Sequence, residues 1–163
     1  IYSIKIKLSD NIDITYLDNI LTDILNKEEI IIAKETKKGT RNIDIRPMIY
    51  NMAFFENNEK NIIKDVLKYI ELCEQSNNNF EFQEVLSCLN KSSIVLEKDT
   101  CINLLVLLGA GNDKNLKPDI LANYIIENSK NVLSEIISID RIDMFIKRDE
   151  RLYLPGTYDK EIS

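Results

Sequence analysis

The sequence predicts an α+β fold, a ferredoxin-like β-α-β-β-α-β sheet with helices on one face and a two-helix insertion. Three observations predict it. Residues 2–8 alternate apolar and polar side chains, residues 14–25 and 118–133 carry apolar residues at helical spacing, and residues 101–108 are almost continuously apolar. Without the insertion, the order along the chain is strand, helix, hairpin strands, central strand, helix and strand. Since this arrangement hosts enzymes, RNA-binding modules and metal-binding domains alike, the fold does not determine the function.

The first half of the chain predicts a strand, a helix and a hairpin. Asp13 precedes the helical segment and is placed to accept hydrogen bonds from the N–H groups of its first turn. The segments 30–36 and 40–46 predict the two strands of a hairpin, with Gly39 at the tight position between them. We expect the pairing to end at Pro47, which lacks an N–H group.

The middle of the chain predicts an insertion followed by the central strand. Residues 57–90 show helical spacing on both sides of a polar break, which predicts two helices. We expect Phe54 and Phe55 to anchor this insertion to the sheet. Residues 94–97 predict a short edge strand, and residues 101–108 predict a strand buried on both faces in the middle of the sheet.

The C-terminal third predicts a loop, a helix and a last strand. Residues 109–113 are expected to form the loop, and the helix that follows is expected to break near Asn128. Residues 139–148 predict the final strand, and residues 156–163 a mobile tail. The expected organisation is a single domain over residues 1–155.

Composition argues against several classes of protein. The net charge of −6 argues against a general nucleic-acid coat, since such proteins gain most of their affinity from clustered Lys and Arg, but it leaves a local basic patch open. No apolar run approaches the roughly 20 residues that span a bilayer, and the N-terminus lacks a basic segment followed by an apolar one. We therefore expect no membrane partner. Because it begins at Ile1 without a Met, the chain is expected to be a processed piece or a fragment.

The cysteines and the absence of histidine argue against a metal centre and most acid–base chemistry. Cys73, Cys88 and Cys101 are an odd number at wide spacings, with no His to complete a zinc site. The absence of His also removes His-based triads and most proton shuttles. We expect no cofactor, no metal site, buried thiols in a reducing compartment and a cytoplasmic location.

A local basic cluster in this acidic chain defines the candidate nucleic-acid site. The cations that the hairpin would bring together are Lys34, Lys37, Lys38, Arg41 and Arg46. The candidate RNA-binding residues are Lys37, Lys38, Arg41 and Arg46, with Lys117 from a later loop. The alternative is a solvated hairpin tip whose charges pair with one another, because exposed ion pairs are common and individually weak.

Asp44 is the one carboxylate that the hairpin would place among these cations. Alternation along the second strand puts Ile43 and Ile45 on one face and Asn42, Asp44 and Arg46 on the other. Asp44 is therefore a candidate acid or base, or else a residue of a structural ion pair or turn.

The loop at Gly109 offers a weaker candidate. Gly109 and Gly111 precede a helix, but the third Gly of a dinucleotide fingerprint and the Gly-Lys-Ser/Thr of a P-loop are both missing. A connection between strand and helix is the favoured interpretation. Lys114 and Lys117 lie near the start of that helix and would extend the basic surface of the hairpin.

Two stretches resemble a known protein family. Residues 36–49 read TKKGTRNIDIRPMI, and the Gly-Ala-Gly of residues 109–111 is followed by NLKPD at residues 115–119. In this order they resemble the radical-SAM-linked protein family, and the chain would correspond to the C-terminal half of that family's domain of unknown function. Members occur alone and as C-terminal fusions to B12-binding radical SAM proteins, and many lie among genes for ribosomal proteins and a ribonuclease.

The resemblance implies an auxiliary role beside a radical SAM enzyme. The chain has no Cys-x-x-x-Cys-x-x-Cys motif to hold an iron–sulfur cluster, so it is not expected to supply the radical chemistry. The resemblance also implies that this chain lacks the family's N-terminal half, and that its stretch 57–90 is longer than the family pattern. A site formed between the two halves would therefore be incomplete in this chain.

Three functions remain open at this point. The first is a non-catalytic module that binds RNA, or a partner bound to RNA, through the basic hairpin. The second is a docking domain for a radical SAM enzyme that uses the insertion or an exposed sheet edge. The third is an enzyme half-site that the missing N-terminal half completes, with Asp44 or Arg46 contributing. For this chain alone we expect no enzymatic activity.

Overall fold

The computed structural model describes residues 1–37, 39–56, 62–76, 79–87, 95–111, 115–148 and 151–153. The strands are β1 (Tyr2–Leu8), β2 (Ile12–Asp13), β3 (Ile31–Thr36), β4 (Gly39–Asp44), β5 (Ile49–Glu56), β6 (Phe80–Glu81), β7 (Val95–Leu96), β8 (Cys101–Leu108), β9 (Leu133–Arg141), β10 (Ile146–Arg148) and β11 (Arg151–Tyr153). The helices are α1 (Ile14–Leu25), α2 (Ile62–Gln75), α3 (Phe82–Ser87) and α4 (Pro118–Asn128), with a 3₁₀ turn at Arg46–Met48. The predicted α+β class is confirmed.

A four-stranded antiparallel sheet organises the fold. Its order is β5-β8-β1-β9, and Ile4 of β1 stands opposite Leu104 of β8 on one side and Ile139 of β9 on the other. β8 lies inside the sheet, as its apolar run predicts. Along the chain, β1, α1, β5, β8, α4 and β9 follow the predicted order of strands and helices. The identification of this sheet as ferredoxin-like stays a prediction.

One face of the sheet packs against α1 and α4. The alternation of β1 turns Ile4, Ile6 and Leu8 into this core. The helices contribute the buried residues Ile14, Leu17, Ile20, Leu21 and Ile24 from α1, and Leu121, Ala122 and Ile125 from α4. The two helices α1 and α4 therefore pack on the same face of the sheet, as predicted.

The predicted cap of α1 is confirmed. Asp13 Oδ1 accepts hydrogen bonds from the backbone N–H and the hydroxyl of Thr15, each at 2.8 Å. These bonds, the backbone one foremost, hold the pKa of the Asp13 carboxyl below its usual range.

The opposite face of the sheet is covered by the insertion. Its two predicted helices are present as α2 and α3, and they pack on the sheet residues Ala53, Phe55, Leu105 and Leu107. Phe80 lies within this second core and makes edge-to-face contacts with Tyr69 and Phe145, at centroid distances of 5.9 and 5.2 Å. The insertion is therefore a structural layer of the fold.

The hairpin does not belong to the central sheet, contrary to the sequence-based expectation. β3 and β4 form a two-stranded sheet of their own, and the strand beside β8 is β5, which the sequence analysis missed. Phe54 and Phe55 lie within β5 and point to opposite cores, so only Phe55 contacts the insertion. β4 ends at Asp44, before the expected end at Pro47, which lies in the 3₁₀ turn, and the chain resumes a strand at Ile49.

The C-terminal strands also differ from the prediction. α4 ends at Asn128, and positive φ angles of 52° at Lys130 and 66° at Asn131 turn the chain directly into β9. β9 therefore begins at Leu133, where a helix was expected, and the predicted strand 139–148 covers the end of β9 and the separate strand β10.

Some smaller predictions have mixed outcomes. The short strand expected at 94–97 is β7, which pairs with β2 outside the central sheet. Cys73 is buried and Cys101 is half-buried, whereas Cys88 and the tail 156–163 lie outside the described residues. Within the described ranges, no helix is long and apolar enough to cross a membrane, and no group of three or more Cys, Asp or Glu side chains could hold a metal ion.

Candidate nucleic-acid interface

The hairpin presents two cations side by side on one face. In the register of β3 and β4, Lys34 stands directly opposite Arg41, and Ile32 stands opposite Ile43 two pairs closer to the base. Side chains two residues apart on a strand share a face, so the two isoleucines and the two cations lie on the same side. The isoleucines pack against the main core, and the cations are exposed beyond them.

The turn adds further positive charge. Gly39 pairs with Thr36 and has a φ of +114°, a backbone conformation that favours glycine, so its predicted role at the turn is confirmed. Lys37 is exposed in the turn, and Lys38 lies outside the described residues.

Three exposed cations of the hairpin have no acidic partner among the described residues. Among the residues that the structure describes, no carboxylate lies within 4 Å of the Lys34 or Lys37 ammonium or the Arg41 guanidinium. Glu35, the nearest acid in sequence to the two lysines, lies on the other face of the hairpin, where it accepts a hydrogen bond from the Thr40 hydroxyl at 2.8 Å. In the part of the chain that the structure describes, these three cations are therefore exposed without a carboxylate beside them.

Asp44 has a structural role at the base of the hairpin. Its Oδ1 accepts hydrogen bonds from the backbone N–H groups of Ile30, at 2.8 Å, and of Arg46, at 3.0 Å. It stands opposite Ile31 in the register, so it does not face a Lys or Arg across the strands. This geometry corresponds to the turn alternative of the sequence analysis.

Arg46 is not on the strand face where the sequence analysis placed it. β4 ends at Asp44, and Arg46 begins the 3₁₀ turn. Its Nε donates to the carbonyl oxygens of Leu25 and Lys27, each at 3.1 Å, its Nη2 donates to Leu25, and its Nη1 donates to Ile49 at 2.8 Å. The last carbonyls of a helix lack partners within it and carry partial negative charge, which a guanidinium satisfies. Arg46 therefore fastens the hairpin to the end of α1.

Lys117 lies at the start of α4, a helix that lines a groove together with the hairpin. It is the exposed residue immediately before Pro118 and the first helical turn. The groove has a volume of about 460 Å³ and lies between Ile31, Ile32 and Ala33 of β3 and Ile120, Asn123, Tyr124 and Glu127 of α4. Lys117 thus precedes the turn of α4 that lines this groove, whereas Lys114 lies outside the described residues.

Sequence reasoning missed a contact between Lys27 and Tyr124 in this region. The Lys27 ammonium donates to the Tyr124 hydroxyl at 2.9 Å and lies 5.6 Å from the centre of its ring. Tyr124 is half-buried, packs against the main core and forms part of the groove wall. The two residues are 97 positions apart, so no local pattern could have paired them.

The two stretches that carry the family resemblance meet in space. The Gly109 N–H donates to the Met48 carbonyl at 2.8 Å, and the Gly109 carbonyl accepts from the Leu116 N–H at 3.0 Å. Gly109 therefore joins the 3₁₀ turn after the hairpin to the start of α4. Since its N–H is engaged, it does not contribute to a phosphate loop.

Comparison with protein families identifies the chain. The model of a family described as an uncharacterized protein conserved in bacteria (DUF2344) matches residues 1–118, well over half of the sequence. The chain belongs to the DUF2344 family. No curated protein and no solved structure matches it. The DUF2344 match contains the whole hairpin and the loop at Gly109, but it ends at the first residue of α4.

Removing the Asp44 carboxylate is expected to destabilise this DUF2344 chain. In Asp44→Ala, two partly buried N–H groups lose their acceptor, which costs on the order of 2 kcal/mol in the free energy of unfolding. Asp44→Asn keeps an acceptor oxygen and should lose less. Urea unfolding of both variants measures the difference, and equal stability of Asp44→Ala and the wild type would contradict the structural role.

Proposed function

We propose that this chain is a non-catalytic auxiliary module that binds RNA, or a partner bound to RNA, through the exposed cations of the hairpin. The residues proposed to contact phosphates are Lys34, Lys37 and Arg41, together with Lys38, which follows Lys37 in the sequence, and Lys117 at the start of α4. Asp44 and Arg46 hold the hairpin in place instead, since their side chains bind backbone groups.

The register of the hairpin carries this proposal. Lys34 and Arg41 form a directly opposed pair of like charges, which by itself disfavours the hairpin. Glu35 lies on the other face, and the chain as a whole is acidic. A pair of uncompensated cations in an acidic protein is stabilised by an anionic partner, and phosphates are the anions that basic clusters of this kind bind in nucleic acids.

The proposal is tested by RNA binding at several salt concentrations. Each phosphate contact to a single strand contributes about 0.7 to the slope of log affinity against log salt, so loss of three contacts lowers the slope by about two. We expect the triple variant K34Q/K37Q/R41Q to bind RNA roughly tenfold or more weakly near physiological salt. Fluorescence anisotropy with a labelled ten-nucleotide RNA measures both quantities.

A control variant with the same change in net charge distinguishes loss of the hairpin site from a general loss of positive charge. The variant K64Q/K68Q/K98Q also removes three exposed cations, all of them outside the hairpin. It should retain the wild-type affinity and slope. If the hairpin variant bound RNA as the wild type does, or if both triple variants lost the same affinity, the hairpin would not be the RNA-binding site.

The association with radical SAM chemistry is a separate part of the proposal. It is supported by the resemblance of residues 36–49 and 109–119 alone, and it implies that the chain works beside a B12-binding radical SAM protein or its own N-terminal half. Co-purification of this chain with such a protein, before and after ribonuclease treatment, tests it. Association that disappears with the RNA would favour an RNA-bridged complex, and no association at all would contradict this part.

A docking function is the second candidate, and exposed apolar residues on α2 favour it. Leu67 and Leu72 are both exposed on this helix of the insertion. A docking surface on α2 predicts that Leu67→Gln and Leu72→Gln weaken capture of a radical SAM partner without changing RNA affinity, and this pattern distinguishes the two functions.

A further inference from the structure

The outer edge of β3 carries unpaired backbone groups. The Ile45 N–H donates to the Ile30 carbonyl at 2.9 Å, so residues 30 and 45 are a hydrogen-bonded pair of the hairpin. Such pairs alternate in an antiparallel ribbon, so the backbone groups of Ile31, Ala33 and Glu35 point away from β4. None of the described residues hydrogen-bonds to these N–H and C=O groups. The edge therefore offers alternating donors and acceptors.

This edge borders the groove between β3 and α4. On the β3 side the groove is lined by Ile31, which is 50 % exposed, and by Ala33, whose side chain carries no charge. On the α4 side, Ile120 and Tyr124 provide apolar surface, and the exposed Asn123 provides an amide. The volume of about 460 Å³ lies within the range of ordinary small-molecule pockets. A flat apolar ring with polar edges fits such a groove.

The charges around the groove indicate which part of a ligand enters it. Lys34 and Arg41 lie two pairs further out on the hairpin than Ile32 and Ile43, just beyond the groove-lining stretch 31–33. Glu127 is itself a wall residue, and its carboxylate disfavours a phosphate inside. The anionic part of a ligand is therefore expected at the cations, and the uncharged part in the groove.

We propose that this groove binds one unstacked base of a single-stranded RNA whose phosphates lie along Lys34 and Arg41. The proposal rests on the RNA-binding function above and names its ligand class. A base of a single strand exposes its hydrogen-bonding edge, which the backbone of Ile31 and Ala33 and the Asn123 amide can read. Ile120 and Tyr124 cover its faces, and stacking of this kind does not require a particular sequence. A duplex keeps its bases paired and would gain only the phosphate contacts.

The test compares RNA strands with variants that fill the groove. The wild type should bind a labelled ten-nucleotide single strand about tenfold tighter than a ten-base-pair duplex or inorganic polyphosphate of similar length. Ala33→Phe places a ring in the groove and should lower single-strand affinity about tenfold while leaving the salt slope and the duplex affinity unchanged. Asn42→Phe is the matched control, because Asn42 is exposed and directly opposite Ala33 but does not line the groove. It should bind as the wild type does.

The possible outcomes separate this inference from the proposed function. If the wild type binds RNA in a salt-dependent manner but Ala33→Phe and Asn42→Phe bind alike, the hairpin function stands and the base site is wrong. If the wild type binds neither strand nor duplex, both proposals are wrong, and the unpaired edge of β3 becomes a site for addition of a protein strand. Circular dichroism confirms that each variant folds. As a second readout, titration with the single strand should shift the amide resonances of Ile31 and Ala33 in the wild type.

Discussion

Replacing Phe80 with alanine is expected to lower the free energy of unfolding by about 3–5 kcal/mol, the usual range for a buried Phe→Ala change. Phe80 is only 1 % exposed and contacts Tyr69 and Phe145 edge to face. It also stands opposite Leu152, which places it between the insertion and the last described strand. The substitution leaves a cavity at the centre of the second core, and urea unfolding measures the loss.

Two further variants make the Phe80 result specific. Phe80→Leu keeps most of the apolar volume and should cost less than the alanine variant, whereas Leu72→Ala on the exposed side of α2 should change stability by less than about 0.5 kcal/mol. A loss below about 1 kcal/mol in Phe80→Ala would mean that the insertion is not part of the core. If the expected loss is found, docking through the insertion has to be tested by point substitutions on α2. Deletion of residues 57–90 would expose Phe55 and Leu107 and so disturb the fold itself.

Replacing Arg46 with alanine is expected to cost about 3 kcal/mol, because hydrogen bonds from a charged donor contribute roughly 1.5–3 kcal/mol each. The variant removes the donors that serve Leu25, Lys27 and Ile49 at the junction of α1, the hairpin and β5. Thermal or urea unfolding measures the change. Arg46→Lys keeps the charge but cannot reach all three carbonyls, so we expect an intermediate loss.

The hairpin cation Arg41 provides the control for Arg46. It is exposed and has no acidic partner among the described residues, so Arg41→Ala should leave stability within about 0.5 kcal/mol of the wild type. Substitution of the two arginines should thus have different effects: Arg41→Ala should lower RNA affinity, and Arg46→Ala should lower stability. Full stability of Arg46→Ala together with weakened RNA binding would reverse these assignments.

The elements that the sequence predicts best are those whose pattern reflects local burial. β1 alternates because every second side chain, from Ile4 to Leu8, faces the main core. α1 has an apolar stripe because one side of the helix is buried. β5 has neither property. Met52, Ala53, Phe54 and Phe55 are all buried, because the insertion covers the face that would otherwise be solvated. Its strand character therefore depends on a contact with a later part of the chain.

The candidate site shows the same limit. Lys37, Arg41 and Gly39 were placed correctly at the hairpin because a turn brings neighbouring residues together. Arg46 looked like another surface cation, but its partners are the carbonyls of residues 25 and 27, some twenty positions earlier. The first part of β9 was missed for a related reason, since it is an edge strand whose exposed residues weaken the alternation, and non-glycine residues form the turn before it.

Among the described residues, the contacts that fasten the hairpin to the rest of the molecule lie near its base, at Asp44, Arg46 and the Ile32–Ile43 pair, and this affects its motion. A two-stranded ribbon without a sheet beside it is marginally stable in water. Backbone amides near the tip should therefore exchange with solvent faster than those beside Asp44, where the ribbon is fastened. Binding of any partner at the tip must also offset the conformational entropy that the tip loses when it becomes ordered. A variant that stiffens the ribbon away from the cations should accordingly bind such a partner more tightly, although it makes no new contact with it.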